Sequence, residues 1–129
     1  MKLSQFIGEQ QMAAIRAACR GEEGEYFRAM LFALKNKIAA MPKTYETDGQ
    51  GDEAVAVLHY FYLGSDWYIT ERDMEEEQYQ AFGCTCLNGD RYCAELGYIN
   101  LVELLKCGVE LDLYYTPETI GAIRERFRP

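Results

Sequence analysis

The hydrophobic repeat of this chain changes period once, near residue 53, and that change narrows the possible folds more than any other feature. Before it, apolar residues recur every three or four positions; after it, they alternate in short runs. Met12, Ile15 and Cys19 mark an amphipathic helix over residues 8–20, stopped by Gly21. A second helix is predicted over residues 22–40, with Tyr26, Phe27, Met30, Leu31, Leu34 and Ile38 on one stripe. Glu22, Glu23 and Glu25 at its start and Lys35 and Lys37 near its end suit the helix dipole. Residues 41–53 (MPKTYETDGQGDE) hold a proline, two glycines and no period, and read as a mobile connection.

Beyond residue 53 lie eight of the ten tyrosines, as expected for half-buried pleated surfaces. A strand over residues 54–63, a turn at Gly64-Ser65 and a partner strand over residues 66–72 read as a hairpin. The run Met74-Glu75-Glu76-Glu77 crosses to a third strand over residues 79–87, and Asn88-Gly89 turns the chain into a fourth over residues 91–98. Asn100 and Glu103 resemble a capping box for a short helix over residues 101–106. A fifth strand follows over residues 109–115, and Thr116-Pro117-Glu118 opens a final helix to Phe127. The sum is an α+β fold: an antiparallel sheet of about five strands, two N-terminal helices, one short inserted helix and a C-terminal helix, with the helices on one face. At 129 residues one domain is expected, with a helical part over residues 1–40, a sheet-rich part over 41–117 and the last helix over 118–129.

The second half resembles the domain of unknown function 2958 family, small cytoplasmic proteins encoded on bacterial plasmids, phages and integrative elements. The resemblance is carried by Leu58-His59-Tyr60-Phe61, by Asp66-Trp67-Tyr68-Ile69-Thr70-Glu71 with Asp73, and by Phe82-Gly83. It continues through residues 95–104 (ELGYINLVEL), the most specific stretch, and ends at residues 110–117 (ELDLYYTP). It covers residues 41–117 and departs at Ala94, where the family usually has proline, around Asn88-Gly89 and in cysteine content. It implies a fold and a genomic setting; the family brings no established reaction.

Charge bears on function more directly. With 21 acidic and 13 basic residues the net charge is −8, which disfavours a surface built to neutralise phosphates, so no direct nucleic-acid binding is expected. No apolar run approaches bilayer length and MKLSQFIGEQQ lacks a signal-peptide core, so no membrane partner is expected. Five cysteines, an odd number, suit free thiols in a reducing cytoplasm.

Catalytic motifs are missing: there is no glycine-rich phosphate loop, no H-E-x-x-H and no G-x-S-x-G. No cofactor and no enzymatic activity are predicted. The nearest approach to a metal or redox site is Cys84, Cys86 and Cys93, with His59 or Cys107 as a fourth ligand. A two-residue Asn88-Gly89 loop would place Cys84 opposite Cys93, close enough for a disulfide. The default reading is reduced core cysteines. His59, the only histidine, would need Asp66, Glu71 or Asp73 across the hairpin for proton transfer, and is otherwise a hydrogen-bonded structural group. Glu95 and Glu103 read as a strand-end acceptor and a cap partner rather than a catalytic pair.

Residues 41–118 hold sixteen acidic and four basic side chains, net −12, while the two ends together are net +4. The loop cluster Glu71, Asp73, Glu75, Glu76 and Glu77, together with Tyr60, Tyr62 and Tyr68, is the predicted partner-binding surface. Tyr114-Tyr115 must point to opposite faces, so one ring leaves the helix-covered side unless the second face is also covered. The expected function is therefore a non-enzymatic protein-binding or regulatory module, monomeric or homodimeric, acting on a protein with a basic surface. The alternative is a small thiol- or metal-dependent regulator or enzyme using the cysteine cluster.

Overall fold

The computed structural model describes residues 2–89 and 95–126. It is an α+β fold, as the pattern predicts. Helices α1 (Glu9–Cys19) and α2 (Gly24–Ala40) form a hairpin. Strands β1 (Val55–Ala56), β2 (Leu58–Tyr62), β3 (Ser65–Glu71), β4 (Ala81–Cys86) and β5 (Glu95–Ile99) follow, then helix α3 (Leu101–Lys106), strands β6 (Glu110–Leu111) and β7 (Glu118–Thr119), and helix α4 (Ile120–Arg126). The main sheet is antiparallel throughout, in the order β5-β4-β3-β2-β6, while β1 and β7 form a separate two-stranded ribbon.

The helical hairpin is tight because α2 begins on glycine. A Cβ at Gly24 would lie 2.3 Å from the Cys19 carbonyl oxygen, and Arg28 Nη1 donates to that same oxygen at 2.6 Å, capping α1. Leu34 and Ile38 of α2 and Met12 and Ile15 of α1 close over Leu58, Tyr60, Ile69 and Leu111 of the sheet. The Tyr60 hydroxyl, wholly buried here, donates to the Phe6 carbonyl at 2.6 Å and is pushed up by desolvation. At the start of α3, Asn100 Oδ1 accepts from Glu103 N as the capping reading expects.

The helices do not all lie on one face. Ile120 and Ile123 of α4, with Ala54 and Ala56 beside them, cover Tyr68, Cys84 and Cys86 on the opposite side of the sheet. The long strand expected over residues 54–63 therefore divides: β1 leaves the sheet at Val57 to pair with β7, so Glu118 and Thr119 are strand and α4 starts only at Ile120. The strand expected over residues 109–115 stops at Leu111, because Asp112 Oδ1 accepts from Tyr114 N and turns the chain.

Two turns differ as well. The β2–β3 hairpin turns on Leu63-Gly64, both at positive φ (46° and 84°), one residue earlier than expected, and Ser65 pairs with Tyr62. In the next hairpin Thr85 pairs with Glu95 and Cys84 with Leu96, a longer connection than a two-residue loop. Cys84 thus does not face position 93; Cys93 itself lies outside the described residues.

Residues 41–53, expected to be a mobile connection, are held by a buried carboxylate. Glu71, 3% exposed, accepts from Tyr45 N and Thr47 N, both at 2.8 Å, and from the Thr47 hydroxyl. Glu71→Ala leaves those two amides unpaired and is expected to destabilise the fold by about 2–4 kcal/mol. Urea midpoints and hydrogen exchange at Tyr45 and Thr47 measure this; an unchanged midpoint with unchanged exchange would refute it.

Candidate functional site

The predicted surface residues separate into three groups. Tyr60 and Tyr68 are core residues, one on each face of the sheet. Glu71 and Asp73 are buried, 3% and 4% exposed. Both are expected from the sequence at the partner-binding surface; instead each is surrounded by backbone N–H groups that satisfy a carboxylate in place of water. Glu75, Glu76, Glu77 and Tyr62 are exposed. Glu77 and Tyr62 line one groove of about 940 Å³ between the start of α1 and α3.

The acidic run sits on a rigid support. Asp73 accepts from Glu75 N at 3.1 Å and Gln80 N at 3.0 Å. Gln78, 1% exposed and at φ 62°, accepts from Asp73 N at 2.9 Å and donates to the carbonyls of Asp73 and Glu75 at 3.2 and 2.8 Å. A left-handed conformation at a non-glycine residue costs free energy and persists because these bonds determine it. Thr44 joins the two loops, donating to Asp73 at 3.4 Å and accepting from Met74 N at 3.2 Å.

Beside that run, the structure gathers exposed aromatics that the sequence pattern did not single out. Tyr45, at φ 73°, interacts through its side chain with Tyr98 of β5, which raises Tyr98 above its ordinary range. Tyr98 is edge-on to Phe82, its cross-strand neighbour, with ring centroids 5.5 Å apart. Tyr45, Tyr79, Tyr98 and Met74 are each more than half exposed. Period-2 alternation could have found Tyr98, which points away from buried Ile99; nothing periodic marks Tyr45 or Met74.

The second polar cluster surrounds His59. Its Nε2 lies 2.7 Å from Asp66 Oδ1 and its Nδ1 3.1 Å from Asp112 Oδ2, while the ring stacks on Tyr68 at 4.6 Å and 10°. Asp66 was an expected partner; Asp112 was not, and Glu71 and Asp73 lie instead at their own loop sites. Tyr68 hydrogen-bonds Arg126 and is pushed up to about 12 by burial. Tyr115 donates to Glu118 at 2.7 Å, and Glu118 pairs with Arg126, which holds its carboxyl below the usual carboxylate range.

Each ring nitrogen of His59 is thus taken up by an aspartate. With both nitrogens occupied, no ring nitrogen faces a substrate position. The cluster clamps the segment after β6 to β2 and β3.

Cys84 and Cys86 are fully buried two residues apart on β4, and their mutual interaction together with desolvation pushes Cys86 up. Among the described residues no group of three or more His, Cys, Asp or Glu is placed to hold a metal ion. Comparison with protein-family models, with curated proteins and with solved structures finds no match.

His59→Phe keeps a ring to stack on Tyr68 but removes both nitrogen contacts to the aspartates. It is expected to lower stability by about 1–3 kcal/mol at pH 7, read from urea unfolding. A midpoint equal to that of the parent protein would show that the clamp contributes nothing.

Proposed function

We propose that this chain is a non-enzymatic protein-binding module whose partner presents a basic surface. The single observation that carries the reading is the hydrogen-bonded base of the acidic run. Glu75, Glu76 and Glu77 project from a loop whose backbone is fixed from within by Asp73 and Gln78. A run needed only for solubility gains nothing from such fixing, whereas a recognition loop ordered in advance avoids the entropy cost of ordering at binding. Met74, Tyr45 and Tyr98 beside it supply rings and a thioether of the kind enriched in interfaces.

Of the residues first expected at this surface, Glu75, Glu76, Glu77 and Tyr62 stay in the proposal; Tyr45, Tyr98 and Met74 replace Tyr60, Tyr68, Glu71 and Asp73. No helix among the described residues is long and apolar enough to cross a membrane. An accessory role in the cytoplasm, on a mobile genetic element, draws its support from the family resemblance and from the free thiols of Cys19 and Cys107.

Capture from a bacterial lysate by the immobilised protein, compared with the variant Glu75→Lys/Glu76→Lys/Glu77→Lys, tests this. The parent is expected to retain a partner at about 0.1 M salt and release it near 1 M, where the Debye length falls to about 3 Å. The variant is expected to fold with an unchanged melting temperature and to retain none. Equal capture by both proteins would refute the acidic run as the recognition element.

A further inference from the structure

The two edges of the main sheet are treated differently. At the β6 edge the side-chain amide of Gln11 donates to the Leu111 carbonyl at 2.7 Å and accepts from Leu111 N at 2.9 Å. That is the donor–acceptor pair a neighbouring strand would offer, so this edge is closed from α1. At the other edge β5 pairs with β4 over its whole length, from Glu95 to Ile99. Among the described residues nothing hydrogen-bonds the backbone on its outer side.

Exposed edges are usually blunted by lysine, proline, a bulge or a covering element. β5 reads Glu-Leu-Gly-Tyr-Ile, with a charge only at its first position and no lysine, proline, bulge or, among the described residues, covering element. Its centre is also open: a Cβ built at Gly97 meets no atom within 4 Å. A glycine at such an edge leaves a gap that a bulky side chain on an added strand fills.

Charge selects the occupant. Glu95 stands at one end of the strand. At the other end, exposed Glu103 lies in the first turn of α3, and the loop of Glu75, Glu76 and Glu77 adjoins, since Leu101 N donates to Gln78 O. Antiparallel pairing with a second copy of this net −8 chain would set Glu95 of each copy against the acidic loops of the other, which like-charge repulsion opposes.

We propose that β5 accepts an extended, lysine- or arginine-bearing segment of the partner as a sixth strand, with a large apolar side chain over Gly97. This rests on the basic-partner reading above and specifies how that partner is held: main-chain bonds supply affinity and alternate side chains supply selectivity.

The probe is a capped heptapeptide alternating lysine with valine and carrying phenylalanine at its centre, titrated into the full chain by amide NMR. A second peptide of the same sequence is N-methylated at alternate residues so that it cannot complete the ladder. The expected result is shifts and slowed exchange at Leu96, Gly97, Tyr98 and Ile99, with about tenfold weaker binding of the methylated peptide. Gly97→Lys, accommodated by the open space, is expected to fold normally and to weaken the unmodified peptide by about tenfold or more.

Binding that ignores methylation, with shifts confined to Tyr45 and residues 74–77, would overturn the added strand and leave the charge reading intact. Shifts at β5 that depend on protein concentration without peptide would make a second copy the occupant and also overturn it. So would an affinity weaker than about 1 mM for both peptides. The lysate capture with the triple lysine variant then decides separately whether the basic-partner reading stands.

Discussion

Two buried carboxylates at the far end of β3 hold together everything at that end of the sheet. A bare carboxylate taken out of water costs several kcal/mol, so Glu71 and Asp73 are tolerable inside only because N–H and O–H groups from two loops converge on them. The dependence runs both ways. Without the acids the loops lose their anchors; without the loops the acids could not stay inside. Between them Arg72 turns the other way and donates from Nε to the Ile38 carbonyl, binding the same corner to the end of α2. The β3 ladder is irregular at this corner, its register shifting between Ile69 and Glu71, so that Glu71 pairs with Phe82.

That corner changes the meaning of the charge count. The middle of the chain is net −12 in sequence, yet Glu71 and Asp73 are internal, and Asp66 and Asp112 are committed to His59. Glu118 is matched by Arg126 and Asp52 by Arg124 at 2.6 Å. The carboxylates left to act on a partner are fewer than composition suggests, and those of the run at 75–77 stand together. A surplus that is spread through a sequence thus becomes a local feature in space, which is what steering of an encounter requires.

Periodicity made most of the architecture legible. The two N-terminal helices, the first hairpin, the Asn100 cap and the antiparallel order all follow from spacing and capping chemistry, which act over a few residues. What stayed hidden depends on distant partners. Whether Glu71 is a surface acid or an interior anchor is decided by Tyr45 and Thr47, more than twenty residues upstream. The aromatic surplus could not be assigned without knowing that α4 and the β1–β7 ribbon cover the second face and take in Tyr68. The β4–β5 register was misjudged because Asn88-Gly89 is a strong local turn signal, and Asn88 does adopt positive φ, while the connection as a whole is longer. Among candidate site residues, Glu75, Glu76 and Glu77 were readable as a charge run; their rigidity, supplied by the buried amide of Gln78, was not.

The hydrogen-bonded base of the acidic loop is the part on which the proposed function rests. A partner that docks on it meets carboxylates already in place, so the ordering cost has been met during folding and is not charged against affinity. The same reasoning separates the two edges of the sheet. Gln11 spends a side chain to close β6, whereas β5, next to the ordered acids, presents its backbone without such a cover among the described residues. The acidic loop and the open backbone meet at one corner, and in the proposed recognition of an extended basic chain each would raise the value of the other.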